Sequence, residues 1–418
     1  MEALQITGGI PLNGSIGVLG AKNAVLKHLV ATLLAPGTHV LSNVPDIVDV
    51  RLMCEVLEHV GARCVADGTT RTVTVPEVLS AEAPLDVVRK MRASILVLGA
   101  LLTRVGSVRI ALPGGDDFGT RPIDMHLDGL RRLGAEFESR DGVLHGEAPR
   151  GLIGADVDLG FPSVGATENV LLAAVMAKGT TVLTNAAREP ELEDLASYLT
   201  AMGAKIVGAG TSRIEIHGVP ELVAATYSVV PDRLEAGTYL LAGAASRGEV
   251  TVVNCVPDHL RMELSKMRAA GCDVTIGEST ITVSGPERPT AVDFATLPYP
   301  GFHTDMHPQM VAFLASGDGT SIMTENLYSG RFRYIEMLNR MGAAIRTDGQ
   351  HVVIDGQSTL VGATVDACDI RAGAAMVIAA LAAAGTTTIV DASHLDRGYT
   401  DLEPKLKSLG ATIARIAL

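Results

Sequence analysis

The chain has 418 residues, 47% of them hydrophobic but only 3% aromatic, and a formal net charge of −13. That length predicts two domains of roughly 200 residues with aliphatic cores, and the acidic balance argues against nucleic acid or an anionic membrane surface as the main partner. Five scattered cysteines, never in a CxxC pair, argue against a disulfide framework or a zinc site and fit a reducing, cytoplasmic setting.

The first residues, MEALQITGGIPLNG, carry neither the basic nor the apolar region of a secretion signal. The most apolar stretches, such as ASILVLGALL, are too short to span a bilayer. From there one phrase recurs along the chain: a glycine, a β-branched run, a turn, a helix-period segment, then Gly-Ala or Gly-Cys and another strand. The copies are PGTHVLSNVP…LEHVGARCV, VGSVRIALPG…LRRLGAEFE, KGTTVLTNAA…LTAMGAKIV, RGEVTVVNCV…MRAAGCDVT, DGTSIMTENL…LNRMGAAIR and AGTTTIVDAS…LKSLGATIA. Their leading glycines are Gly37, Gly106, Gly179, Gly248, Gly319 and Gly385, a period of roughly 70 residues.

Each copy predicts the same structure. A β-branched run such as TTVLTN suits a strand. Leu192, Leu195, Leu199 and Met202 fall at helical spacing, and Gly203 stands where a glycine would end that helix. A second helix, rich in Ala and Leu, precedes each leading glycine, as in NAVLKHLVATLLAPG and AAMVIAALAAAG. It is apolar on almost every face and should be buried, with sheets outside it. The six copies divide into two groups of three, with a boundary near residues 228–232, SVVPDR. The residues themselves leave open which group the first twenty complete.

Polar residues gather where those apolar helices begin: Lys22 and Asn23, Arg92 and Ser94, Ser163, Thr167 and Glu168, Asp232 and Arg233, Asp305, then Asp369 and Arg371. Helix N-termini attract anions. Ordinary capping accounts for Ser163, Asp305 or Asp369. It does not account for Lys22, Arg92, Arg233 and Arg371, because cations oppose the helix dipole there. Four such cations at equivalent places suggest a polyanionic ligand in a shared cleft. Interdomain ion pairing among these charges is the competing reading, above all for Asp232 and Arg233 and for Asp369 and Arg371. The loop ALPGGDDFGTRPID adds glycines and an arginine suited to phosphate, yet sets Asp116 and Asp117 in its middle.

Read in order, GAKNA, RAS, LPGGxxxGxRPxDxH, FPSVGATEN, NAAREPE, PDRxExGT, GFxTDM, RFRYxExLxRMGA and DRGY run through nearly the whole chain. In this the sequence resembles the UDP-N-acetylglucosamine 1-carboxyvinyltransferase family, whose wider superfamily includes enolpyruvylshikimate-phosphate synthase. The resemblance implies an α/β fold of two inside-out, barrel-like domains, each of three units with buried helices surrounded by sheets, and a cleft between them. It implies domain I at residues 21–230 and domain II at 1–20 plus 231–418. The implied reaction opens peptidoglycan synthesis: the enolpyruvyl group of phosphoenolpyruvate passes to the 3′-hydroxyl of UDP-N-acetylglucosamine by addition and elimination, releasing phosphate without a metal or other cofactor. By motif register Lys22, Arg92, Arg121 and Arg397 clamp phosphoenolpyruvate. Asp305 is the base, or at least orients the hydroxyl, and Asn23 hydrogen-bonds the tetrahedral centre. Pro122, Ile123, Asp124 and Met125 follow Arg121 at the nucleotide, with Ser163, Val164, Gly165 and Leu327 as further contacts.

Two departures stand out. Many relatives have cysteine at the position of Asp116, as proton donor and as the residue that fosfomycin alkylates, so the resemblance implies insensitivity to that epoxide here. In GFHTDMHP, His303 stands where relatives often have proline. His303 and His307 flank Asp305 four residues apart, a weak metal signal. A paralogue using another nucleotide acceptor and a catalytically silent homologue are the alternatives. GTRPIDMH and FPSVGAT favour the sugar nucleotide over the first, and the retained Lys22, Asn23, Arg92, Arg121, Asp305 and Arg397 argue against the second.

Overall fold

The computed structural model describes residues 2–114, 122–328 and 330–418. They divide into two compact units, one between Gly20 and Val230, the other formed by the N-terminal segment to Leu19 and by Pro231–Leu418. Each unit has its own aliphatic core. Burial of each Leu, Ile or Val in such a core contributes roughly 1.5–3 kcal/mol.

The buried helices are where the composition places them. In Lys22–Thr32 every residue but Asn23 is buried, and in Ile370–Ala382 every residue but Ala382. Val164–Ala174, Arg233–Ala245 and His307–Leu314 are of the same kind. The helices that follow the leading strands are amphipathic instead. Val48–His59 buries Asp49, Val50, Met53, Val56 and Leu57, and Arg333–Arg340 buries Tyr334, Ile335, Met337 and Leu338. Each of these one-sided helices stops at a glycine. Gly61, Gly134, Gly203, Gly271, Gly342 and Gly410 all have φ between 92° and 112°, a conformation that a side chain would strain.

The sheets repeat one mixed pattern. Gly37–Ser42 lies antiparallel to Thr70–Val75, which pairs with Arg63–Asp67, while the short strand Thr226–Ser228 adds in parallel on the other side. Four further sheets have four strands in the same arrangement; in the sheet of Ser107–Ala111 an isolated parallel bridge, Glu82 to Arg109, stands where the fourth strand would be. The first residues of the chain close the second unit. Glu2–Thr7 lies between Thr386–Val390 and Thr412–Ala417 as the third strand of the sixth repeat, and Asn13–Gly17 runs parallel to Glu249–Val253.

A repeated asparagine ends several leading strands. Asn43, Asn185 and Asn254 are left-handed, with φ of 58°, 54° and 57°. Their side-chain amides donate to the carbonyls of Val229, Leu159 and Val18 at 2.8, 2.7 and 2.9 Å. Asparagine tolerates this backbone better than most residues. The device turns the chain toward the next helix and ties it to the segment beside the strand.

Candidate active site

In the first unit Lys22 opens its helix after an extended Ala21 that offers no side-chain cap. Its ammonium is buried and sits 2.8 Å from Asp49 Oδ2. Asp49 lies in the first turn of Val48–His59, where an acid reads as an ordinary complement to the helix dipole. Nothing in the sequence marks it as the partner of Lys22. One turn along, Lys27 donates to the carbonyl of Asn23 and lies 3.3 Å from the buried carboxylate of Glu168. This anchors the backbone of Asn23 from inside while its side chain stays partly exposed.

Burial raises Glu168 to about 7 against the pull of Lys27, with Glu189 and Glu191 adding to the rise. Its folded value therefore lies above the reference of 4.5. Stability from the neutral acid is full below that reference and is lost as pH rises through about 7. A Glu168→Gln variant cannot ionise there. Relative to wild type it should gain on the order of 2–3 kcal/mol between pH 4.5 and pH 8. Thermal melts of both proteins across that range check this, and a constant difference would refute it.

Arg92 starts a 3-10 turn, Arg92–Leu96, and its guanidinium donates to the carbonyl of Pro122 at 3.0 Å. That bond fixes the entry to the helix Asp124–Arg132, so Arg92, Pro122, Ile123, Asp124 and Met125 are brought together. His126 follows, buried and pushed down to about 4 by burial and by the charge of Arg92. The Asn169 amide donates to its Nδ1 at 2.9 Å, and the Asn169 carbonyl oxygen accepts the Gly99 N–H. A Cβ on Gly165 would lie 2.8 Å from the His126 ring, so only glycine lets the start of Val164–Ala174 approach this closely. Ser163 caps that helix by accepting the Ala166 N–H at 3.3 Å. Asp116 and Arg121 lie outside the described residues.

In the second unit Asp305 is not a cap. The residue before His307–Leu314 is Met306, without a side-chain cap bond. The Asp305 carboxylate instead accepts Arg331 Nη1 at 2.7 Å on Oδ1 and Arg371 Nε at 3.3 Å on Oδ2. Burial would raise its proton affinity, but Arg331 and Arg371 outweigh it and hold the carboxyl well below the usual range. It is an ionised acceptor with a partly exposed face. Arg371 also donates to the Tyr399 hydroxyl at 3.1 Å, and Tyr399 Oη lies 3.0 Å from Thr238 Oγ1.

Asp232 and Asp369 both serve as helix caps. Asp369 caps its helix through the Arg371 and Ala372 N–H groups, and Asp232 caps Arg233–Ala245. The Arg371 side chain goes to Asp305, and the Arg233 guanidinium lies 5.2 Å from the Tyr299 ring centre. Arg397 ends the 3-10 turn Ala392–Arg397, two residues before Tyr399. Leu327 is set by Glu325, whose Oε1 accepts its N–H at 2.6 Å together with that of Tyr328 and the Thr296 hydroxyl.

The histidine pair also divides. His303 Nδ1 faces the Asp305 N–H, whereas His307 is fully buried beside the Tyr334 hydroxyl and Glu325. Among the described residues no three His, Cys, Asp or Glu side chains converge as a metal would require. No described helix is long and apolar enough to cross a membrane.

The first unit thus offers cations at helix starts, a setting for anionic ligands, and the second an ionised carboxylate held between two guanidiniums, which can accept a hydroxyl hydrogen bond. The profile of the EPSP synthase (3-phosphoshikimate 1-carboxyvinyltransferase) family matches residues 6–406. The chain is 48% identical over 415 residues to UDP-N-acetylglucosamine 1-carboxyvinyltransferase of Corynebacterium jeikeium, covering 99% of both chains. It is 47% identical over 417 residues to UDP-N-acetylglucosamine 1-carboxyvinyltransferase 2 of Caldanaerobacter subterraneus, covering 100% of both. Among solved structures, the enolpyruvyl transferase NikO from Streptomyces tendae superposes with a TM-score of 0.91 at 27% identity, over 100% of this chain and 99% of that one. An EPSP synthase from Acinetobacter baumannii shares the fold at a TM-score of 0.79 and 18% identity, over 100% of both chains.

Proposed function

The chain belongs to the EPSP synthase family, and on that premise we propose that it transfers the enolpyruvyl group of phosphoenolpyruvate to the 3′-hydroxyl of UDP-N-acetylglucosamine. The observation that carries this reading is 47–48% identity along the whole chain to relatives that bear the name of that activity. The product commits the sugar nucleotide to peptidoglycan. The free thiols of Cys54, Cys64, Cys255, Cys272 and Cys368 suit a cytoplasmic site for the reaction.

The units Gly20–Val230 and Pro231–Leu418 with the N-terminal segment serve as the two domains of the enzyme. Lys22, Arg92, Arg121 and Arg397 hold the phosphate and carboxylate of phosphoenolpyruvate. Pro122, Ile123, Asp124, Met125, Ser163, Val164, Gly165 and Leu327 hold the sugar nucleotide. In the addition step the sugar oxygen bonds to C2 of phosphoenolpyruvate, its proton is lost, and a proton is delivered to C3, with Asp116 as the donor. Asn23 hydrogen-bonds the tetrahedral centre. In the elimination step the C2–O bond to phosphate breaks and C3 gives a proton back. A carboxylate as weakly basic as Asp305 acts mainly by accepting the hydroxyl hydrogen bond and aiming its oxygen, with proton transfer complete only as the new bond forms.

The test is phosphate release from phosphoenolpyruvate with UDP-N-acetylglucosamine and, separately, with UMP. Release with the sugar nucleotide alone is expected. Release with UMP alone would make the chain a transferase of another nucleotide, and release with neither would make it a silent homologue.

A further inference from the structure

The residue two positions before Asp305 is bound into its backbone. Asp305 N–H donates to His303 Nδ1 at 2.9 Å. His303 N–H donates to Glu263 Oε1 at 3.0 Å, and the His303 carbonyl accepts the Met306 N–H at 2.9 Å. The imidazole is therefore fixed by its own main chain on both sides and presents Nδ1 as an acceptor. A nitrogen that accepts carries no proton, so the ring that makes this bond is the neutral tautomer with its hydrogen on Nε2. An imidazolium donates from both nitrogens and cannot make it. Protonation would thus break the bond to Asp305 and place a cation beside a carboxylate already held by Arg331 and Arg371.

We propose that His303 is a positioning residue for Asp305 that works only as the neutral imidazole. The role rests on the transferase reading, in which Asp305 aims the acceptor hydroxyl. While neutral, His303 holds the Asp305 main chain so that the carboxylate meets both guanidiniums and the substrate oxygen. Once charged, it releases that segment and adds a third cation to the two already there.

Other charged groups lie about this segment. Glu263 approaches from the helix Arg261–Ala269, with Arg233 at the start of Arg233–Ala245 acting on it. Arg331 and Arg371 act on the neighbouring Asp305, and His307 lies one turn further along its own segment. Asp305 is held well below the usual carboxylate range, and burial pushes His307 well below the usual imidazole range, so neither titrates near neutrality. Burial raises Glu263, so it is the one carboxylate among these whose titration could mimic that of His303.

His303→Asn separates the two. Asparagine places an amide oxygen where it can accept the N–H two residues on, in the manner of an Asx turn, and does not titrate. In wild type kcat should fall about tenfold per pH unit below a limb in the histidine range, roughly pH 5–8. His303→Asn should keep kcat within about threefold of wild type at pH 8 and lose that limb. His303→Leu, which has no acceptor, should lower kcat about tenfold at every pH with KM for the sugar nucleotide nearly unchanged. Thermal melts show which variants are folded at the assay temperature. An acid limb that persists unchanged in His303→Asn would give the titration to Glu263 and overturn the proposal. Full activity in His303→Leu would overturn it as well. A wild-type chain that releases no phosphate at any pH would overturn the transferase reading and this role with it, a result distinct from either variant outcome.

Discussion

Asp305→Asn is expected to lower kcat by about 10³ while sugar-nucleotide binding changes by only a few fold. The substitution preserves shape and removes charge. Arg331 Nη1 and Arg371 Nε both aim donors at the carboxylate, one at each oxygen. An asparagine can satisfy one of them with its oxygen, but its amide hydrogens must then face the other guanidinium. The group that should accept the acceptor hydroxyl is turned or pushed away. Two buried arginines also lose their shared counter-charge, and breaking a buried pair in this way typically costs about 3–5 kcal/mol. The assay therefore belongs well below the melting temperature of the variant, with phosphate release measured beside calorimetric binding of the sugar nucleotide. A folded variant with kcat near wild type would remove Asp305 from the reaction. Loss of binding with kcat intact would make it a ground-state contact only.

The cradle around Asp305 also shows where sequence reasoning stops. The apolar helices were legible because they are apolar on every face, and the six copies because they share a period. Helix-ending glycines were legible for the same reason: one position, Gly203, stands for six. Helix capping, by contrast, is a local rule and gave a mixed outcome. It holds for Ser163 and Asp369, whose side chains accept N–H groups within three residues, and Asp232, for which it was not expected, caps in the same way. It fails for Asp305, whose partners are 26 and 66 residues away. Asp49, Glu325 and Arg331 went unremarked for that reason. Each carries its meaning through a distant partner, Lys22, Thr296 or Asp305, and no spacing in the chain advertises it. Cations at helix starts did point to a compensating anion, but where that anion is seen it is a carboxylate of the chain itself, which is the ion-pairing reading rather than the ligand one. In Lys22 and Arg371 the compensation is Asp49 and Asp305.

Asp116→Asn is expected to abolish turnover and leave sugar-nucleotide binding nearly intact. The addition step requires a proton on C3 of phosphoenolpyruvate, and an amide has none to give at any useful rate. A carboxylic acid can supply it only while protonated, and the reference aspartate value of about 3.9 is too low for a donor working near neutrality. Like-charge repulsion from Asp117 favours the protonated form, and so does exclusion of water when substrates are bound. On the proposed reading, Arg121 and the other cations that hold phosphate oppose it until the substrate anions neutralise them. The sum is read from the alkaline limb of kcat, where loss of the donor proton ends turnover. Asp116→Cys tests the assignment from the other side. A thiol has a reference value of about 8.5, so this variant should keep turnover and carry its alkaline limb to higher pH. It should also gain a covalent sensitivity to fosfomycin that the native chain is expected to lack. Intact-mass measurement after incubation with fosfomycin should show one adduct on Asp116→Cys and none on wild type. An adduct on the wild-type chain would place a reactive nucleophile elsewhere in the site. Wild-type turnover in Asp116→Asn would pass the donor role to another acid, and Asp117, adjacent in sequence, would be the next to replace.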